Sequence, residues 1–152
     1  MDENIIITVD AIVQIESTFI MIERKNFPFG WALPGGKVEV DETLEEAIIR
    51  EVKEETDIDY IDFKQFKTYS DIDRDPRGRY ISTVFFGKGI GTPKPKSDAI
   101  NLKLVNFNYL PSNIAFDHKN IIKDFIELMG YMSREKFLDH LFNAPDEMFI
   151  EV

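Results

Sequence analysis

The chain's 152 residues suffice for one domain with a real core, and 43% hydrophobic with 30% charged content is ordinary for a soluble globular protein. Its 28 Asp and Glu against 18 Lys and Arg give a net charge of −10, which disfavours loose nucleic-acid binding; a polyanionic ligand would need metal ions or well-placed arginines. The absence of cysteine excludes disulfide frameworks and thiolate metal sites, and 13 Phe argue against disorder.

The opening "MDENIIITVDAIVQIE" is acidic where a secretion signal would be basic, and no apolar run is long enough to cross a membrane. A cytoplasmic protein is expected. That opening is β-branched and reads as a strand, "STF" as a tight connection, and "FIMIER" as the next strand. "KNFPFGWALPGG" is a turn-rich loop, followed by a short alternating strand "KVEV". A helix begins at Thr43, whose pairing with Glu46 three residues on makes a capping box, and runs to about Thr56. Asp57 follows where a left-handed cap residue belongs. Strands are expected at "YIDFKQFKTYS", "RYISTVFFGKGI" and "LKLVNFNYL", with the charged loop "DIDRDPRG" between the first two. "DHKNIIKDFIELMG" has a helical apolar period at Ile121, Ile122, Phe125 and Met129, closed by Gly130. "SREKFLDHLF" reads as a last short helix capped by Ser133. Residues 1–130 form the domain, with 131–152 a helical extension packed on it. The fold class is α+β, a mixed sheet with helices against it.

The helix from Thr43 carries an anomaly. On a wheel, Leu44, Ile48 and Val52 share one arc with Ala47 at its border, yet Glu55 falls inside that arc, Glu51 at its edge and Glu54 just beyond. A solvated surface helix accounts for Glu45, Glu46 and Lys53, with Glu46 paired to Arg50 one turn on. It does not account for Glu51 and Glu55, two carboxylates that would repel and lose hydration unless a cation lay between them. A hard divalent ion such as Mg²⁺ resolves the conflict.

Gly36, five residues, Glu42, seven residues, then "REVKEETDI" from Arg50 to Ile58 resembles the signature of the Nudix family, G-x5-E-x7-R-E-U-x-E-E-x-G-U with U a bulky aliphatic. Asp57, in place of the second glycine, is the one departure, and it touches the helix cap. The resemblance implies an α/β/α sandwich around a mixed β-sheet and hydrolysis of a nucleoside diphosphate linked to another moiety. It implies Glu51, Glu54 and Glu55 as metal carboxylates, with the Gly35 carbonyl as a further ligand beside the box glycine Gly36. Arg50, in the catalytic set, would pair with Glu42 and fix the loop against the helix. The cofactor implied is Mg²⁺, with Mn²⁺ the alternative. Glu51 is the first candidate for general base; Asp75 and Asp117 are the others, each also suited to a turn or cap.

"DRDPRGRYIS", "ERKNFPFGWALPGG" and "AFDHKNII" resemble the ADP-ribose pyrophosphatase branch of that family and its relatives in NAD metabolism. The expected reaction is Mg²⁺-dependent hydrolysis of ADP-ribose to AMP and ribose 5-phosphate. The alternatives are another nucleoside diphosphate or triphosphate, or an ADP-ribose-sensing module. Net charge opposes the sensor, as does the short span after Gly130, too small for a DNA-binding winged helix. Arg74, Arg77 and Arg79 form a basic cluster suited to phosphate or ribose, or to pairing with Asp71, Asp73 and Asp75. Arg24 and Lys25 could reach a phosphate at a strand end. His118 is expected as a helix-cap residue, His140 as surface, and Phe27, Phe29 and Trp31 as loop packing or a base platform. The expected partner is a nucleotide-sugar substrate, with no nucleic acid and no membrane, and the expected assembly a homodimer.

Overall fold

The computed structural model describes residues 4–130. The expected terminal helix, His140 and the extension over 131–152 lie outside the described residues. In chain order the elements are β1 (Ile5–Ile15), β2 (Thr18–Arg24), β3 (Trp31–Ala32), β4 (Gly35–Lys37), α1 (Leu44–Thr56), β5 (Asp59–Tyr69), β6 (Arg79–Ile90), β7 (Ala99–Asn106) and α2 (His118–Gly130).

The sheet runs β3–β2–β1–β6–β5, with β4 also on β1 and β7 also on β2. Its spine is the parallel pair β1·β6, in register from Ile5↔Arg79 to Gln14↔Lys88; the other pairings are antiparallel. The spine strands carry near-continuous apolar runs because helices cover both faces. Val9, Ala11 and Val13 of β1, Ile20 and Ile22 of β2 and Phe85 of β6 pack with Ala47, Ile48 and Val52 of α1. The alternate residues Ile12, Phe19, Met21, Val84 and Phe86 pack with Ile121, Ile122, Phe125 and Leu128 of α2. Strand period two thus sorts one sequence into two cores.

Two expected strands shift. "KVEV" is replaced by Gly35–Lys37, because the ladder to β1 joins Asp10↔Gly35, Val9↔Gly36 and Thr8↔Lys37, leaving Val40 fully exposed. β7 spans Ala99–Asn106 instead of continuing to Leu110, because Asn106 starts a turn: its side-chain oxygen accepts from Asn108 N and its carbonyl from Tyr109 N.

α1 has the expected ends. The Thr43 hydroxyl accepts from Glu46 N at 3.1 Å, and the Glu46 carboxylate accepts from Thr43 N at 3.0 Å. Asp57 closes the helix at φ 62°, its N–H donating to Lys53 O. The β6–β7 loop then docks on this end. Lys94 N donates to Thr56 O at 2.8 Å, Lys96 N to Glu55 O at 3.0 Å, and Lys96 Nζ to the Asp57 carboxylate at 3.2 Å. These bonds satisfy carbonyls that a helix end otherwise leaves open.

Candidate active site

Where β1, β4 and α1 meet, the glycine pair explains itself by close approach. A β-carbon on Gly35 would collide with Val9 O and the Asp10 carboxylate, and one on Gly36 with the Glu51 carboxylate. Glu55 is 7% exposed and accepts from Gly35 N at 2.8 Å. Burial, then the negative charges of Glu51 and Asp10, push its carboxyl up to about 8 against the opposing Gly35 bond. Burial also raises the Glu51 carboxyl, which Arg50 partly offsets. Glu54 is half exposed at its side chain.

Arg50 organises the acidic side chains. Its Nε donates to Glu42 Oε2 at 3.0 Å and a second bond joins the same carboxylate, so the expected internal pair is present. That hydrogen bonding lowers the Glu42 carboxyl to about 2. Arg50 Nη1 also reaches Glu51 at 2.8 Å and Glu54 at 3.3 Å. Glu46 does not pair with Arg50, since its carboxylate is held by the capping box. Among the described residues, no three acidic or histidine side chains converge as a metal centre. Arg50 bridges Glu51 and Glu54 instead, and Glu55 turns to Gly35.

Beside this acidic pole opens a cavity lined by Gly35, Gly36 and Glu55 on one side and Arg24, Arg74 and Arg77 on the other. The arginines differ. Arg74 is 4% exposed at its side chain and locked by two bonds, 2.9 and 2.7 Å, to Asp117 just before α2. Arg77 is held by Asp75 through Nε at 3.1 Å and Nη2 at 2.9 Å, a hydrogen bond that raises its guanidinium above the ordinary value. Arg79 lies outside the cavity lining, near Asp71 O at 3.4 Å. Arg24 donates through Nε to Pro28 O at 2.7 Å and has no ion pair among the described residues.

Asp10 and His118 line this cavity and Ser82 is buried against Asp10; no role for Asp10 or Ser82 was read from the sequence, and His118 was expected only as a cap. Ser82 Oγ donates to Asp10 Oδ2, and His118 Nε2 stands 3.5 Å from Asp10 Oδ1. His118 Nδ1 accepts from Leu33 N at 3.0 Å, which leaves Nε2 to carry the proton toward Asp10. Burial alone would raise the Asp10 carboxyl, but His118, Ser82 and Arg74 together hold it below its ordinary value. An aspartate inside "ITVDAIV" was the available signal, since an unpaired charge there would be costly. The imidazole of His118 therefore does not serve as the expected cap of α2; it ties the first residue of that helix to Leu33 and to Asp10 of β1.

The NUDIX domain family model matches residues 5–125. The chain belongs to the Nudix family. An ADP-ribose pyrophosphatase of Methanocaldococcus jannaschii is 45% identical over 123 residues, which span 79% of this chain and 72% of that one. A bifunctional NMN adenylyltransferase/ADP ribose pyrophosphatase from Francisella tularensis, solved with AMP and a Mn ion, is 34% identical at TM-score 0.70. The match covers 82% of this chain but only 42% of that one. The NUDIX domain of Shewanella oneidensis NrtR, solved with ADP ribose, shares the fold at TM-score 0.75 with 24% identity, covering 84% of this chain and 90% of that one. This Nudix chain is a hydrolase, and its mixed sheet with two helices is the fold of these relatives. Among the described residues no helix is long and apolar enough to cross a membrane.

Proposed function

We propose that this Nudix hydrolase cleaves the pyrophosphate bond of ADP-ribose to AMP and ribose 5-phosphate, using Mg²⁺ with Mn²⁺ as a substitute. The observation that carries the reading is one cavity lined by the buried carboxyl of Glu55 together with the guanidinium groups of Arg24, Arg74 and Arg77. The likeness to the Methanocaldococcus enzyme supports the choice of ADP-ribose.

The donor set fits a hard divalent cation: carboxylate oxygens of Glu51, Glu54 and Glu55 with the Gly35 carbonyl, and no sulfur or nitrogen ligand. Burial first, then the charges of Glu51 and Asp10, raise the Glu55 carboxyl, and a cation bound there would favour its ionised form. Bound there, the ion would neutralise phosphate oxygens and lower the pKa of its water. Glu42 anchors Arg50, and Arg50 orients Glu51 through Oε1. Glu51 Oε2, which Arg50 does not hold, is the proton acceptor we assign. Asp75 and Asp117 are each engaged in two bonds to an arginine and are assigned structural roles.

Turnover across ADP-ribose, an oxidised nucleoside triphosphate and a dinucleotide, with products separated chromatographically, tests the substrate. ADP-ribose is expected to lead in kcat/KM by at least roughly tenfold, about 1.4 kcal/mol of transition-state stabilisation. Equal or better turnover of either competitor would remove ADP-ribose as the substrate and leave the hydrolase.

A further inference from the structure

We propose that Arg24, seated on the Phe116 ring beside Arg77, forms a phosphate-binding subsite that works without a metal ion. The inference deepens the ADP-ribose reading by giving one phosphate of the diphosphate, and the phosphomonoester of a product, a direct protein partner.

Arg24 is the arginine of the cavity that has no salt bridge among the described residues. Only its Nε has a protein acceptor, Pro28 O; both Nη groups have none among the described residues. Its guanidinium carbon lies 4.7 Å from the centroid of Phe116, and that of Arg77 lies 5.2 Å from the same centroid. Arg77 also stands 4.9 Å from the Tyr80 ring, and its Nε and Nη2 are held by Asp75. Two guanidiniums thus share one aromatic platform, and the carboxylate hydrogen-bonded there, Asp75, is held by Arg77. Burial, then the like charge of Arg77, lower the Arg24 guanidinium from its ordinary value.

The platform is fixed on its other side. Phe116 has φ 55°, a left-handed conformation unfavourable for a bulky residue, so its surroundings must hold it. Its ring packs 5.0 Å from His118, itself bonded to Leu33 N. Rigid arginine forks with unclaimed N–H donors suit the three terminal oxygens of a phosphate ester. The division of labour follows: Arg24 binds, Arg77 assists through its free edge, Arg74 is closed by Asp117, and Phe116 is a positioning residue.

Calorimetric titration of the whole protein in EDTA with ribose 5-phosphate, using ribose as the uncharged control, tests this. Wild type is expected to bind the phosphate ester and not the sugar. Arg24→Met should weaken binding at least roughly tenfold, and Phe116→Leu several-fold, with Phe116→Tyr close to wild type. If Arg24→Met does not fold, Arg24→Lys keeps the charge and loses the fork, and should bind several-fold more weakly. The subsite is overturned if wild type fails to prefer the phosphate ester in EDTA, or if the Arg24 variant that folds matches wild type. ADP-ribose turnover without metal-free binding would remove the subsite alone. Metal-free binding without turnover would remove the substrate reading alone.

Discussion

The two walls of the cavity treat charge in opposite ways. On the basic wall, Arg74 and Asp117 close on each other and Asp75 takes most of Arg77, so most of the apparent charge is internal structure. On the acidic wall, Glu55 is buried beside Glu51 and Asp10, and burial above all raises its carboxyl to about 8 against the Gly35 N–H and the charge of Arg24. Charge count says little about which residues act. The cavity groups that form no salt bridge among the described residues say much more: Glu55 on one wall and Arg24 on the other.

The largest expected effect tests the acidic wall. Glu55→Gln should lower ADP-ribose turnover by about three powers of ten or more while raising the melting temperature of the metal-free protein. Turnover within tenfold of wild type would break the contrast. Next comes pH. The folded Glu55 holds its proton up to about 8, while an ordinary glutamate releases it near 4.5. Over that window the folded state therefore binds more protons than the unfolded, so stability without metal should fall as pH rises from 4.5 to 8. The upper bound is about 5 kcal/mol. Saturating Mg²⁺ should flatten that slope, and a melting temperature in EDTA that does not change with pH would contradict the raised Glu55 carboxyl.

The basic wall should respond through stability instead. Arg74→Met leaves Asp117 unpaired and should cost about 3–5 kcal/mol in denaturant unfolding. Adding Asp117→Leu should recover much of it, and a simple sum of the two losses would mean the pair is not a unit. The smallest effect lies away from both walls: Thr43→Ala should cost about 1 kcal/mol by removing the cap, with kcat unchanged.

Features encoded locally were legible in the sequence. Thr43 and Glu46 announced the start of α1, Asp57 its left-handed end, and helical spacing placed Glu55 among apolar neighbours. The internal pair of Glu42 and Arg50 followed from the box pattern. What distant chain segments decide was not legible. Arg74 finds its partner 43 residues away at Asp117, not among the neighbouring aspartates. Asp10, Ser82 and His118 meet only because β1, β6 and α2 share a face, and no local period reports that. The misplaced "KVEV" strand has the same origin: alternation suggested pairing, but the ladder to β1 favoured the glycines just before it.

The β6–β7 connection invites a last thought about protein engineering. Because Lys94 and Lys96 hold the carbonyls of Thr56 and Glu55, this surface segment acts as a latch on the very turn that carries the buried acid. Lengthening or transplanting it would be felt at the reaction centre, although no residue of the segment lines the cavity. Chimeras between relatives should therefore exchange this connection and α1 together.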